Sequence, residues 1–171
     1  TVVKTPKAGT HTDAAHADDC GETSGWQAWE SDNSLPNAGK YYLTKDVTLS
    51  AEYTATADLT LCLNGYNIIA ADGKRITNLV KDSGATLTIV DCTAHNDETG
   101  AYVSGAITGA NFESSGAIYL NAGTTLKLYS GKISGNANEQ PYGSGVNNYG
   151  TFQLSGSPII TGNTAGGAVH N

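Results

Sequence analysis

The sequence predicts an all-β solenoid, short parallel strands stacked in about five coils around one apolar core. Three observations carry that expectation. The first is a phrase said twice. Thr125-Leu126-Lys127-Leu128-Tyr129-Ser130-Gly131-Lys132-Ile133-Ser134-Gly135-Asn136 is answered by Thr151-Phe152-Gln153-Leu154-Ser155-Gly156-Ser157-Pro158-Ile159-Ile160-Thr161-Gly162-Asn163. Each copy runs on to a third apolar beat, Gly145-Val146-Asn147-Asn148 in one and Ala168-Val169-His170-Asn171 in the other. The second is the period: three short alternating strands with Gly/Asn turns in roughly 20–30 residues fit a solenoid repeat and fit no helix. The third is composition. With 21 Gly, no Met and 15% charged residues among 171, the chain favours strands and turns.

Taken in order, residues 1–10 are polar, contain Pro6 and read as a linker. Residues 11–39 read as an N-terminal cap. Trp26 and Trp29 stand three apart, which on a helical turn puts both rings on one face. A short helix is therefore expected to cover the open end of the stack, where apolar side chains and strand edges need a lid. Residues 40–171 form the stack itself. Tyr41-Tyr42-Leu43, Val47-Thr48-Leu49 and Tyr53-Thr54-Ala55-Thr56 make a first coil. The second opens with Thr60-Leu61-Cys62-Leu63-Asn64-Gly65 and continues through Asn67-Ile68-Ile69 and Asn78-Leu79-Val80. The third opens at Thr86-Leu87-Thr88-Ile89-Val90-Asp91-Cys92 and resumes at Ala106-Ile107-Thr108-Gly109 and Ala117-Ile118-Tyr119-Leu120.

Stacked, these give inward ladders Leu61/Leu87/Leu126/Phe152 and Leu63/Ile89/Leu128/Leu154 on one face. Ile68/Ile107/Ile133/Ile160 and Leu79/Ile118/Val146/Val169 supply the other two. Residues 78–87 and 117–126 match this register without a gap. Strand alternation turns Cys62, Thr88, Lys127 and Gln153 outward on the first face and Val80, Tyr119, Asn147 and His170 outward on the third. Asn111, Asn136 and Asn163 recur after the second strand, where amides hydrogen-bond along a turn. Residues 93–104 and 137–144 break the period and are expected as surface loops beside a binding face.

A net charge of −7 argues against nucleic acid and anionic membrane as partners. No stretch approaches the ~20 apolar residues of a membrane span. Length predicts one domain, and Thr1, an unusual native start, predicts a mature fragment or an expressed module. Three cysteines, Cys20, Cys62 and Cys92, allow three alternative single disulfides. Few lysines, abundant Thr, Asn and Gly and the acidic balance predict an extracellular module, and a monomer is expected.

The chemistry looked for is sparse. Arg75 is the one arginine, and the first outward column holds no carboxylate pair of the kind glycoside hydrolysis needs. Asp46, Asp82 and Asp91 fall at strand ends, where Asp caps turns. Catalysis is therefore not expected. His11, His16 and Cys20 have metal-compatible donors at spacings of five and four. With His95 or an Asp they would hold a structural Zn²⁺, and Asp13, Asp18 and Asp19 offer a Ca²⁺ variant. The alternatives are an exposed acidic linker with an incidental His pair, or Cys20 in a disulfide. Nine tyrosines against two phenylalanines are the more informative feature. Tyr102, Tyr119, Tyr129, Tyr142 and Tyr149 fall at outward or loop positions, where ring faces stack on sugars while Asn147, Lys127 and Gln153 bind hydroxyls. The alternative is that Tyr fills surface rows through β-propensity alone.

The run Tyr41 to Leu49, the segment Leu61-Cys62-Leu63-Asn64-Gly65 and the G-x-I-x-G-N phrases resemble right-handed parallel β-helix modules of large secreted and surface proteins of gut anaerobes. Over residues 40–171 the chain is similar to a β-helix carbohydrate-binding family that recognises xylan and is attached to xylanases. That resemblance implies a non-catalytic module for xylan or a related plant polysaccharide, covalently linked to a secreted glycoside hydrolase. Two other readings remain: a structural or adhesive segment of a bacterial surface protein, and a polysaccharide lyase or hydrolase fragment.

Overall fold

A computed structural model describes residues 25–70, 74–78, 84–113 and 115–171 of this protein, and among them are twenty strands of two to five residues, most built on alternating apolar positions. The fold is all-β, with no helix among the described residues. β1 (Gln27–Trp29) leads into a first pass of β2 (Gly39–Leu43), β3 (Val47–Thr48) and β4 (Tyr53–Ala55). The second pass is β5 (Leu59–Cys62), β6 (Ile68–Ile69) and β7 (Ile76–Asn78). The third contains β8 (Thr86–Val90), the hairpin of β9 (His95–Asn96) and β10 (Tyr102–Val103), then β11 (Ala106–Thr108), β12 (Asn111–Phe112) and β13 (Ile118–Leu120). The fourth is β14 (Thr125–Leu128), β15 (Lys132–Ser134), β16 (Ala137–Asn138) and β17 (Val146–Asn148). The fifth is β18 (Thr151–Leu154), β19 (Ile159–Thr161) and β20 (Val169–His170).

Corresponding strands of successive passes pair side by side. The first sheet runs β1-β2-β5-β8-β14-β18, the second β3-β6-β11-β15-β19 and the third β4-β7-β13-β17-β20. All pairs in these three sheets are parallel; the β9–β10 hairpin is antiparallel. The inward rows are Leu59/Leu87/Leu126/Phe152 and Leu61/Ile89/Leu128/Leu154 on the first sheet. The second contributes Val47/Ile68/Ile107/Ile133/Ile160, and the third Tyr53/Ile76/Ile118/Val146/Val169. Except for exposed Leu154, these rows meet in one apolar cluster. Each fully buried Leu or Ile stabilises it by roughly 1.5–3 kcal/mol.

The expected ladders hold on the second sheet and in the later passes. In the second pass they shift. Leu59 and Leu61, not Leu61 and Leu63, stand beside Leu87 and Ile89. Leu63 is buried beyond the strand end, where a Cβ on Gly131 would come 2.9 Å from its Cδ1. On the third sheet Ile76, not Leu79, stands beside Ile118. The connection from Ile76 to Leu87 is thus three residues longer than that from Ile118 to Leu126, and the gap-free match fails. The apolar beat recurs at both 76 and 79; equal spacing to the next strand favours 79, whereas strand pairing brings Ile76 beside Ile118. Leu79 and Val80 lie outside the described residues.

Around Trp26 and Trp29 the described residues form a strand in place of the expected helix. β1 adds to β2 with Gln27, Ala28 and Trp29 beside Tyr41, Tyr42 and Leu43. Alternation then sends the two tryptophans to opposite faces. Trp29 packs on the main core, its ring edge-on to Tyr41 at 5.3 Å and its Nε1–H donating to the Ser34 carbonyl at 2.7 Å. Trp26 is buried on the outer face against Cys62 and Val90. Strand addition satisfies the edge of β2, which a helix lid would leave unpaired.

The asparagine column is shorter than expected. Asn136 Nδ2 donates to Asn163 Oδ1 at 2.9 Å and to the Ile107 carbonyl at 3.1 Å, while its Oδ1 accepts the Ala110 N–H. Asn111 is not part of it, because it stands beside Ala137.

A candidate binding groove on the first sheet

Between the two inward rows of the first sheet lies one outward row: Lys40, Thr60, Thr88, Lys127 and Gln153, each beside the next in register. Parallel strands set these side chains about 4.8 Å apart across the sheet. Over them runs a groove of about 550 Å³, lined by Trp26, Lys40, Thr60, Thr88, Lys127 and Tyr129. Ser130, Ser155 and Ser157 add hydroxyls along its Tyr129 side. Tyr129 exposes 41% of its surface there.

The opposite wall is held from behind. Trp26, Cys62 and Val90 form a small apolar cluster joined by Tyr42 and Cys92. The Cys62 and Cys92 sulfurs are 3.4 Å apart. Asp91 anchors the segment that begins residues 93–104. Its Oδ1 accepts the Gly65 N–H and both the N–H and hydroxyl of Thr93, while Oδ2 accepts the Gly105 N–H at 2.5 Å. Burial holds this carboxyl above the ordinary carboxylate range, while the bonds from Thr93 and Gly105 pull it the other way. The preceding turn is tight: Asn64 and Gly65 have φ of 52° and 80°, and Asn64 Nδ2 donates to the Leu43 carbonyl. Asp46 and Asp91 therefore hold turns, as expected of strand-end aspartates, Asp46 through the Asn67 N–H at 2.8 Å.

Of the residues singled out for sugar contact, the groove gathers two, Lys127 and Tyr129. Gln153 continues the Lys127 row and is exposed. Tyr119 lies on the third sheet, half-buried, with its ring 5.4 Å from Tyr149 and the Arg75 guanidinium 4.9 Å from its centroid. Arg75 also stacks on Phe112 and pairs with Glu52 at 2.7 Å. Asn147 has the expected outward register beside Tyr119 and His170 but is only 1% exposed. The end of the 137–144 insertion closes over it: Gly143 lies against the Val146 carbonyl and the His170 N–H, and Tyr142 sets its ring edge-on to His170 at 5.7 Å. Tyr102 serves the scaffold, accepting the Gly131 N–H at 3.2 Å. These four residues do not share a site with Lys127.

Cys62 points outward as alternation requires, but in the row of Tyr42 and Val90, and it is fully buried. The two-residue shift puts Thr60 in the row that Cys62 was expected to hold. Thr60, Lys40 and Trp26 are among the groove residues that the sequence did not single out, as are Ser130, Ser155 and Ser157. The row could have been found by carrying alternation back from Lys127 through Leu59 rather than Leu61. His11, His16 and Cys20 lie outside the described residues, and His95 lies in β9. No group of three or more His, Cys, Asp or Glu is placed to hold a metal ion among the described residues. No helix among them is long and apolar enough to cross a membrane.

Sheet and groove together define an all-β protein with three main parallel sheets among the described residues and a polar, aromatic-edged channel on one of them. No protein-family model, curated protein or solved structure matches the chain.

Proposed function

We propose that the three sheets are the walls of a right-handed parallel β-helix, and that the protein is a non-catalytic carbohydrate-binding module for a plant polysaccharide, xylan foremost. The handedness follows from the strong preference of parallel crossovers for the right hand. The observation that carries the function is the groove: it crosses the parallel strands with a row of hydroxyls and ammoniums on its floor and the exposed Tyr129 ring at its side. A rigid floor of evenly spaced donors suits an extended polymer, because little ordering entropy is lost on binding. The non-catalytic reading is supported by Asp91, the one carboxylate of the lining among the described residues, which is 2% exposed and engaged by four donors. Acid–base cleavage of a glycosidic bond needs two accessible carboxyls. In the full protein the module would be secreted and would hold a linked glycoside hydrolase against its substrate.

Affinity gel electrophoresis over a panel of polysaccharides tests this. Migration retarded in xylan, and restored toward normal by Tyr129→Ala, is the expected result. Unretarded migration across the panel would reject carbohydrate binding, and release of reducing ends by the pure chain would reject the non-catalytic reading.

A further inference from the structure

Among the described residues, the lining of the groove holds two lysines, Lys40 and Lys127, and one acid, Asp91, in a chain whose net charge is −7. Lys40 and Lys127 occupy the same outward row, separated by Thr60 and Thr88, which sets them three strand spacings or about 14 Å apart. Asp91, the acid of the lining, spends both oxygens on backbone and Thr93 donors. Lys127 is half-buried between Thr88 and Gln153, both neutral, and makes no salt bridge among the described residues. Half-burial in a groove weakens solvent screening of that ammonium. Its charge is therefore available to a ligand, while the acidic remainder of the surface repels polyanions at longer range.

We propose that the groove selects polysaccharides that carry carboxylates, uronate-bearing chains, with the Lys127 ammonium as the carboxylate-binding group and the threonine hydroxyls between Lys127 and Lys40 taking sugar hydroxyls. This rests on the carbohydrate-binding reading and sharpens its substrate class. A carboxylate against Lys127 forms a charge-assisted hydrogen bond, stronger than the neutral contact a plain pentose or hexose hydroxyl would make. Neighbouring sugars lie along the Thr60–Thr88 floor, so one acidic substituent per few residues would suffice and a fully charged polymer would be disfavoured by the overall negative field.

The test compares one polymer in two forms: glucuronoxylan, and the same preparation with its carboxyls reduced to hydroxyls. Calorimetric titration of the full chain should give about tenfold tighter binding to the acidic form at low salt, the size of one good charge-assisted contact. That preference should shrink as salt is raised. Lys127→Gln should lower binding of the acidic form to the level of the reduced form, Lys127→Arg should keep the preference, and Lys45→Gln, outside the groove, should change neither. Thermal melts of the variants exclude misfolding as the cause. Equal affinity for the two forms overturns the carboxylate proposal while leaving carbohydrate binding standing. A preference that survives Lys127→Gln, or stronger binding to sulfated than to carboxylated chains, overturns it as well. Failure to bind either form overturns both readings.

Discussion

Tyr53 shows how much a single position in this fold depends on what the chain brings across it. Its ring is 7% exposed in the apolar cluster, and its hydroxyl donates to the Pro36 carbonyl from the segment before β2. Burial pushes its pKa well above the ordinary 10.0. The folded protein therefore keeps a proton that the unfolded chain gives up above pH 10, so this contribution to stability is whole below that pH and is lost as pH rises beyond it. Urea denaturation from pH 8 to about 11 should show an alkaline fall in wild type that Tyr53→Phe reduces; equal slopes would mean that other groups govern it. The sequence reading placed Tyr53 in a strand but had no means of seeing Pro36. The same limit applied to Asp91: its turn-capping role was legible from its place at a strand end, whereas its reach to Gly105, fourteen residues on, was not. In the groove, Lys127 and Gln153 were legible because the repeated phrase fixes their parity. Thr60 was not, since Thr60 and Cys62 share that parity and only pairing decides which meets Thr88.

At the scale of elements, the turn after the second strand carries its own stabilising device. Asn136 is 1% exposed and links three passes, accepting from Ala110 and donating to Ile107 and Asn163. Asn136→Ala would leave a buried N–H and a buried carbonyl short of partners, at a cost of roughly 2–3 kcal/mol in urea denaturation. Asn163 is half-buried in the last pass, so Asn163→Ala should cost distinctly less; equal losses would argue that the column does not act through burial. The recurrence of asparagine announced this device, but alignment by phrase alone enrolled Asn111, which pairs beside Ala137 instead. The N-terminal element failed in sequence for a comparable reason. A three-residue spacing of tryptophans fits one helical face, but in a strand it fits two surfaces that both need covering, and β2 had an open edge to supply one of them.

Across the whole molecule, packing declines along the stack. Rows that are fully buried in the middle passes end in Phe152, Ile160 and Val169, which are half-buried, and in Leu154, which is 55% exposed. Each residue of the fifth pass has a neighbouring pass on one side among the described residues, so its strands open at lower cost. Hydrogen exchange should accordingly find β5, β8 and β14 most protected and β18, β19 and β20 least. Uniform protection along the first sheet would show that the last pass is supported by something other than its single neighbour.

The sequence by itself determined the class of structure: alternation of apolar residues specifies strands, and a phrase recurring at a fixed interval specifies which strands lie beside one another. It also set the parity of Lys127 and Gln153, because a period of two leaves each residue a single choice of face. Tertiary structure decided what parity cannot: which apolar beat stands beside Ile118, where Ile76 is found, and whether an outward residue meets solvent. Asn147 faces outward and is buried because an insertion folds back over it, while Lys127 faces outward into an open groove. The difference lies in contacts between segments of unrelated spacing, and local sequence carries no record of those.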